Sequence, residues 1–200
     1  MGSRGSRAGT TSRADRKLES FLQNPTILDT SDGSTSIYDM KHEEGFAITP
    51  DGQIFSHVRG GKDEVSIPRV YDARGGIVFH THPIHDLPGG LKSGVSFSPE
   101  DLLHGLSLGT MEVITTSNGR GQRVRVTADF RGLDRSAVRA KVATYLGLPA
   151  HTSDMNIVNR MMDRVNTHYR QGSTVFVSSH KEVMNLAHAA GFKVKLEVIK

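Results

Sequence analysis

The chain alternates short apolar runs with turn-forming clusters, and the period of the runs changes along its length. Leu18, Phe21 and Leu22 recur at helical spacing over 17–23, and Pro25 closes that segment. Residues 24–40 are rich in Ser, Thr, Asp and Gly and read as loop. Two apolar runs, 45–49 and 53–58, flank Pro50-Asp51-Gly52, which signals a β-hairpin. A turn at Gly60-Gly61-Lys62-Asp63 precedes a short strand over 64–68. Residues 75–80 form a compact apolar run, as expected of a buried strand. A Gly/Pro-rich loop covers 84–97, and Ser98-Pro99-Glu100-Asp101 opens a helix reaching about His104. Strands over 111–116 and 122–128 flank Ser117-Asn118-Gly119-Arg120, a second hairpin. A helix over 136–146 is ended by Gly147 and Pro149. Another over 156–169 carries Ile157, Met161, Met162, Val165 and Tyr169 on one side, more apt for a core than for a cofactor. Strands at 174–177 and 192–199 surround a helix at 182–190. Mixed strands and helices without an internal repeat predict one α/β or α+β domain.

Composition narrows the chemistry. Two hundred residues suffice for one domain with a real core, and 36% hydrophobic against 23% charged residues favours folding over disorder. The absence of Cys excludes a disulfide scaffold, an iron–sulfur site, a Cys-ligated zinc finger, a thiol nucleophile and a Cys-ligated zinc deaminase. No apolar run is long enough to span a membrane, and the first 25 residues lack a secretory h-region, so a cytoplasmic location is expected. The net charge of +4 resides in residues 1–17, and the remaining chain holds 20 basic and 20 acidic residues. That segment reads as a disordered basic tail ahead of a single domain over 18–200. Its scattered Arg without aromatics make nucleic acid a poor candidate partner.

One constellation carries chemistry. His80-Thr81-His82-Pro83 ends the apolar run, and residues i and i+2 of a strand share a face. His80 and His82 can therefore aim two imidazoles at one ion, and zinc suits such ligands. Ser98 and Asp101 lie three apart at a helix start, where both face one side. Taken alone they read as a helix cap; without competing with that, Asp101 could supply a third metal ligand and Ser98 a hydroxyl donor to an oxyanion. A general base near the metal should come from Glu43 or Glu44, ahead of the 45–49 strand. His85 and the other histidines lack ligand spacing and read as loop, structural or surface groups.

In this order the residues resemble the JAMM/MPN metalloprotease motif: an upstream Glu, His80-Thr81-His82-Pro83, then Ser98-Pro99-Glu100-Asp101. The resemblance covers residues 40–130, leaves 131–200 as a C-terminal α/β extension, and is nearest to bacterial, phage and polymorphic-toxin members. It implies a cytidine-deaminase-like α/β fold, a mixed sheet flanked by helices. It also implies one zinc ion on His80, His82 and Asp101, with Ser98 as oxyanion donor and the Glu as base. A small residue commonly stands three after that Glu in the family, and Ala47 fits this for Glu44. Glu44 would also share a strand face with Phe46 and Ile48, leaving Gly45 and Ala47 on the other, and it is favoured over Glu43 because strand phase decides which carboxylate faces the site. The stretch from Ile84 to Phe97 is longer than in the family, an insertion a surface loop absorbs at little cost. The implied activity is hydrolysis of a peptide or isopeptide bond in a protein or peptide substrate, ubiquitin-like conjugates being one class the family cleaves. The alternative is a non-catalytic MPN-like scaffold or a phage- or toxin-associated binding module. Rival motifs fail: a metallo-β-lactamase H-x-H-x-D-H needs Asp and His where the chain has Ile84 and His85, and no P-loop is present.

Overall fold

The computed structural model describes residues 11–25, 36–38, 40–62, 65–68, 70–87, 91–94, 96–118, 122–170 and 175–199. A six-stranded mixed sheet is flanked by helices on both faces. Its strands are β1 (Glu44–Ile48), β2 (Ile54–Arg59), β3 (Ile77–Thr81), then β6 (Met111–Ser117), β7 (Arg123–Asp129) and β8 (Lys193–Ile199). A separate two-stranded hairpin, β4 (His85–Leu87) with β5 (Leu91–Ser93), lies within the expected 84–97 loop. The helices are α1 (Arg13–Gln23), α2 (Pro99–Leu108), α3 (Arg135–Tyr145), α4 (Asp154–Arg170) and α5 (Val175–Ala190). Strand order is β2-β1-β3-β6-β7-β8, with β3 and β6 parallel and every other pair antiparallel. The one parallel pair requires a crossover, and α2 lies within it.

Paired residues of neighbouring strands project to the same face, so the register assigns each side chain a side. Phe46, Phe79 and Val113 share one face and pack with Ala14, Leu18 and Phe21 of α1, whose Phe21 ring meets Phe46 edge-on at 4.6 Å. Ile114, Val124, Val126 and Ala128 lie on the other and pack beneath α2, α3, α4 and α5. Arg131 ties α1 down through Asp15 at 2.7 Å, and Arg125 does so through Glu19 at 3.1 Å.

Three expectations are corrected. Helix α1 begins at Arg13, so the disordered tail does not extend to residue 17; residues 1–10 lie outside the described ones. The reason is a capping box: Asp15 N–H donates to the Ser12 hydroxyl while the Asp15 carboxylate accepts from Ser12 N–H. Residues 175–177, expected in a strand, open α5, because Phe176 joins the core cluster from a helix. No strand forms over the described residues 65–68; Ile67 and Val70 instead pack on Ala47, Ala73 and Val78. Of the methionine pair on α4, Met161 is buried and Met162 is 42% exposed. Most of 24–40 and the tip of the second hairpin lie outside the described residues.

Candidate metal centre

The site forms where β3 ends and α2 begins. His80 sits on the face that carries α2, one residue before the strand's end. His82 N–H still bonds the Thr115 carbonyl at 2.9 Å, so the extended backbone persists and returns His82 to the same side. Helix α2 is started by Ser98, which accepts the Asp101 N–H at 3.1 Å, and by Pro99, which has no N–H to lose. The Asp101 carboxylate returns the bond, accepting Ser98 N–H on Oδ2 at 2.8 Å. Asp101 is thereby fixed by the cap while its oxygens face the histidines. The capping reading of Ser98-Pro99-Glu100-Asp101 is met, and the cap leaves Asp101 beside the two histidines.

His80, His82 and Asp101 form a group whose ligand atoms all lie within 4.8 Å of one another. The two Nε2 atoms stand 2.9 Å apart; Asp101 Oδ1 is 3.3 Å from His80 Nε2, and Oδ2 is 3.4 Å from His82 Nε2. A tetrahedron with bonds of about 2.0–2.1 Å has edges of about 3.3–3.4 Å. In the triangle of two imidazoles and one carboxylate each imidazole stands at that distance from a different carboxylate oxygen, and the edge between the imidazoles is shorter. The two rings present nitrogen to nitrogen at hydrogen-bond distance. Both histidines are buried and the carboxylate is partly so. Burial works against a charged His80, yet Asp101 more than offsets it and raises that imidazole to about 9. Burial likewise disfavours the Asp101 carboxylate, but His80 and His82 hold it well below the usual carboxylate range. These residues fit a divalent cation with nitrogen and oxygen ligands.

The group opens on a cavity of about 680 Å³ that Glu43, Lys62, Ser98, Glu100, His104 and Glu112 also line, with Val65, Ile67, Val70, Val78 and Pro83 as its apolar wall. The expected base is corrected here. Gly45 pairs with His80, so residue 43, two before it, shares the His80 face and Glu44 takes the other. Glu43 lines the cavity, whereas Glu44 is fully buried with its carboxylate on His42 Nε2 at 2.7 Å and His57 Nε2 at 3.0 Å. Glu44 does share the face of Phe46 and Ile48, as strand phase predicts, but the pairing of Gly45 with His80 puts the site on the other face.

Two cavity residues escaped the sequence reading. Glu112 pairs with Val78 and so projects under the site, accepting the Thr110 hydroxyl at 2.8 Å. Burial raises its pKa. His104, one helical turn after Asp101, places Nδ1 3.6 Å from Glu112, whose carboxylate raises the imidazole's pKa. A lone carboxylate within the apolar run 111–114 was the available signal for Glu112. His42 and His57 are structural partners of Glu44, as read; the His85 side chain lies outside the description. Among the described residues, no helix is long and apolar enough to cross a membrane. No family model, curated protein or solved structure matches this chain.

Proposed function

We propose that this chain is a zinc-dependent hydrolase of the JAMM type, with a cytidine-deaminase-like fold, that cleaves a peptide or isopeptide bond. The carrying observation is the convergence of His80, His82 and Asp101 on one cavity that Ser98 and Glu43 also line. A zinc ion held by the three ligands would supply a Lewis acid for the carbonyl and lower the pKa of water to about 7. Glu43 takes the proton of the attacking water and delivers it to the leaving nitrogen, the two-way role that a carboxylate at the cavity wall can perform. The Ser98 hydroxyl accepts from Asp101 N–H and still has its own hydrogen to donate to a developing oxyanion. The apolar wall from Val65 to Val78 suits an extended peptide, whose main chain it would shield from water.

The test is metal content followed by turnover. The purified chain should carry about one zinc, and Asp101→Ala should lose it, since three ligands are the minimum for a catalytic site. Glu43→Gln should keep zinc and lose about 10²–10⁴ in turnover of a pooled fluorogenic peptide mixture. Ser98→Ala should lose about 10²–10³. A gently purified chain that holds no zinc and takes none up would sink the hydrolase and favour a non-catalytic scaffold.

A further inference from the structure

Resting on Glu43 as the general base, we propose that the Thr81 hydroxyl is its positioning group, a clamp that sets the direction of Glu43 from the far side of the sheet. Thr81 stands between the two histidine ligands but projects to the opposite face, and it is fully buried. Its Oγ1 accepts the Glu44 N–H at 2.8 Å and donates to the His42 carbonyl at 3.2 Å. Those two groups belong to the peptide units on either side of Glu43. Each peptide unit is planar, so the angle between the two planes is set by φ and ψ of Glu43 alone. One hydroxyl bonded to both planes therefore restrains the two dihedrals together.

The remaining backbone groups of the same two units are also held. Glu43 N–H donates to the Gly61 carbonyl and the Glu43 carbonyl accepts from Gly60 N–H, each at 2.8 Å. The flanking side chains lock together as well, through the Glu44 carboxylate on His42 and His57. What Thr81 adds is a side-chain link between this segment and the strand that carries the candidate ligands, beside the backbone pairing of Gly45 with His80. Motion of the base relative to His80 and His82 then requires breaking a buried hydroxyl bridge. An apolar residue of the same shape at this position would leave the bridge unmade.

The experiment uses the full chain with Thr81→Val, which keeps the shape and loses the hydroxyl, and Thr81→Ser, which keeps the hydroxyl. Three quantities are read: zinc affinity by chelator competition, hydrogen exchange of the Glu44 amide, and turnover of the pooled peptide mixture. For Thr81→Val we expect zinc affinity within about threefold of wild type, Glu44 exchange at least about tenfold faster, and kcat down about 10–100-fold at unchanged KM. Thr81→Ser should restore all three. A Thr81→Val chain with unchanged kcat, or with an equally protected Glu44 amide, overturns the clamp. Glu43→Gln separates the two ideas. If it turns over like wild type, the base assignment fails whatever Thr81 does. If it is inactive while Thr81→Val is not impaired, only the positioning role falls. Should Thr81→Val not fold, Thr81→Ala repeats the test, and an unprotected Glu44 amide in the wild-type chain overturns the clamp with no variant at all.

Discussion

Adjacent glutamates that differ by one position end up on opposite faces of the sheet, and only one reaches the cavity. The choice between Glu43 and Glu44 was not legible because parity is defined only against a partner strand. The partner here is β3, and the pairing of Gly45 with His80 is a contact between residues far apart in sequence. His80 and His82, by contrast, were legible because two-residue alternation within one strand needs no partner. Local logic also stops short at Gly105, one residue past the helix expected to reach about His104, whereas α2 runs through it to Leu108. A Cβ there would stand 2.4 Å from Glu112 Cγ and 3.0 Å from the Phe130 ring. Gly→Ala inside a helix normally stabilises by about 0.5–1 kcal/mol. At Gly105 the sign should reverse, because the buried Glu112 side chain must move: Gly105→Ala is expected to destabilise by about 1–3 kcal/mol in chemical denaturation. A stabilised Gly105→Ala chain would mean that Glu112 does not pack under α2.

At the scale of elements, one four-residue pattern has two outcomes. Ser12…Asp15 and Ser98…Asp101 both close a capping box. The first only starts a helix; the second starts a helix and faces two imidazoles. Sequence alone marked the second through its place after the histidine pair and passed over the first, which is why α1 was expected to begin too late. Ser12→Ala should cost about 1 kcal/mol of stability and leave zinc uptake intact, whereas Ser98→Ala touches both the cap and the cavity. Helix α5 was misread because 174–177 is β-branched and aromatic, a composition that packing overrode. Its consequence is a link that no spacing rule anticipates: the Ser96 hydroxyl meets His180 Nδ1 at 3.3 Å, and Ser96 N–H donates to the Ser179 hydroxyl at 3.0 Å. Burial lowers the pKa of His180. A depressed folded value means that the unfolded chain binds the proton first, so this stability is complete above about pH 6.5 and is lost as the pH falls below it. His180→Phe, which retains the stacking on Phe176, should flatten that part of the stability profile below pH 6.5. An identical profile in the variant would remove His180 as a cause.

The whole molecule places its candidate ligands on two elements that the chain joins only by a long excursion. His80 and His82 end β3, Asp101 begins α2, and β4 and β5 lie between them. The order of the sheet was not legible, since it depends on β6 lying parallel beside β3 and on β8 returning to the edge of β7. That topology makes a bound ion a cross-link between the central strands and the helix that crosses over them. Any ligand that binds the folded chain alone stabilises it by mass action, by about 2.7 kcal/mol at a hundred times its dissociation constant. For a domain of this size each kcal/mol moves Tm by about 2–4 °C, so zinc at that excess should raise Tm by about 5–11 °C. The shift should grow with the logarithm of free zinc and vanish on chelation. In Asp101→Ala, where the triangle loses its carboxylate corner, the zinc-dependent rise should be absent while the metal-free chain still unfolds cooperatively. A rise that survives Asp101→Ala would locate the binding elsewhere and detach the metal from the cavity on which the proposed hydrolase activity depends.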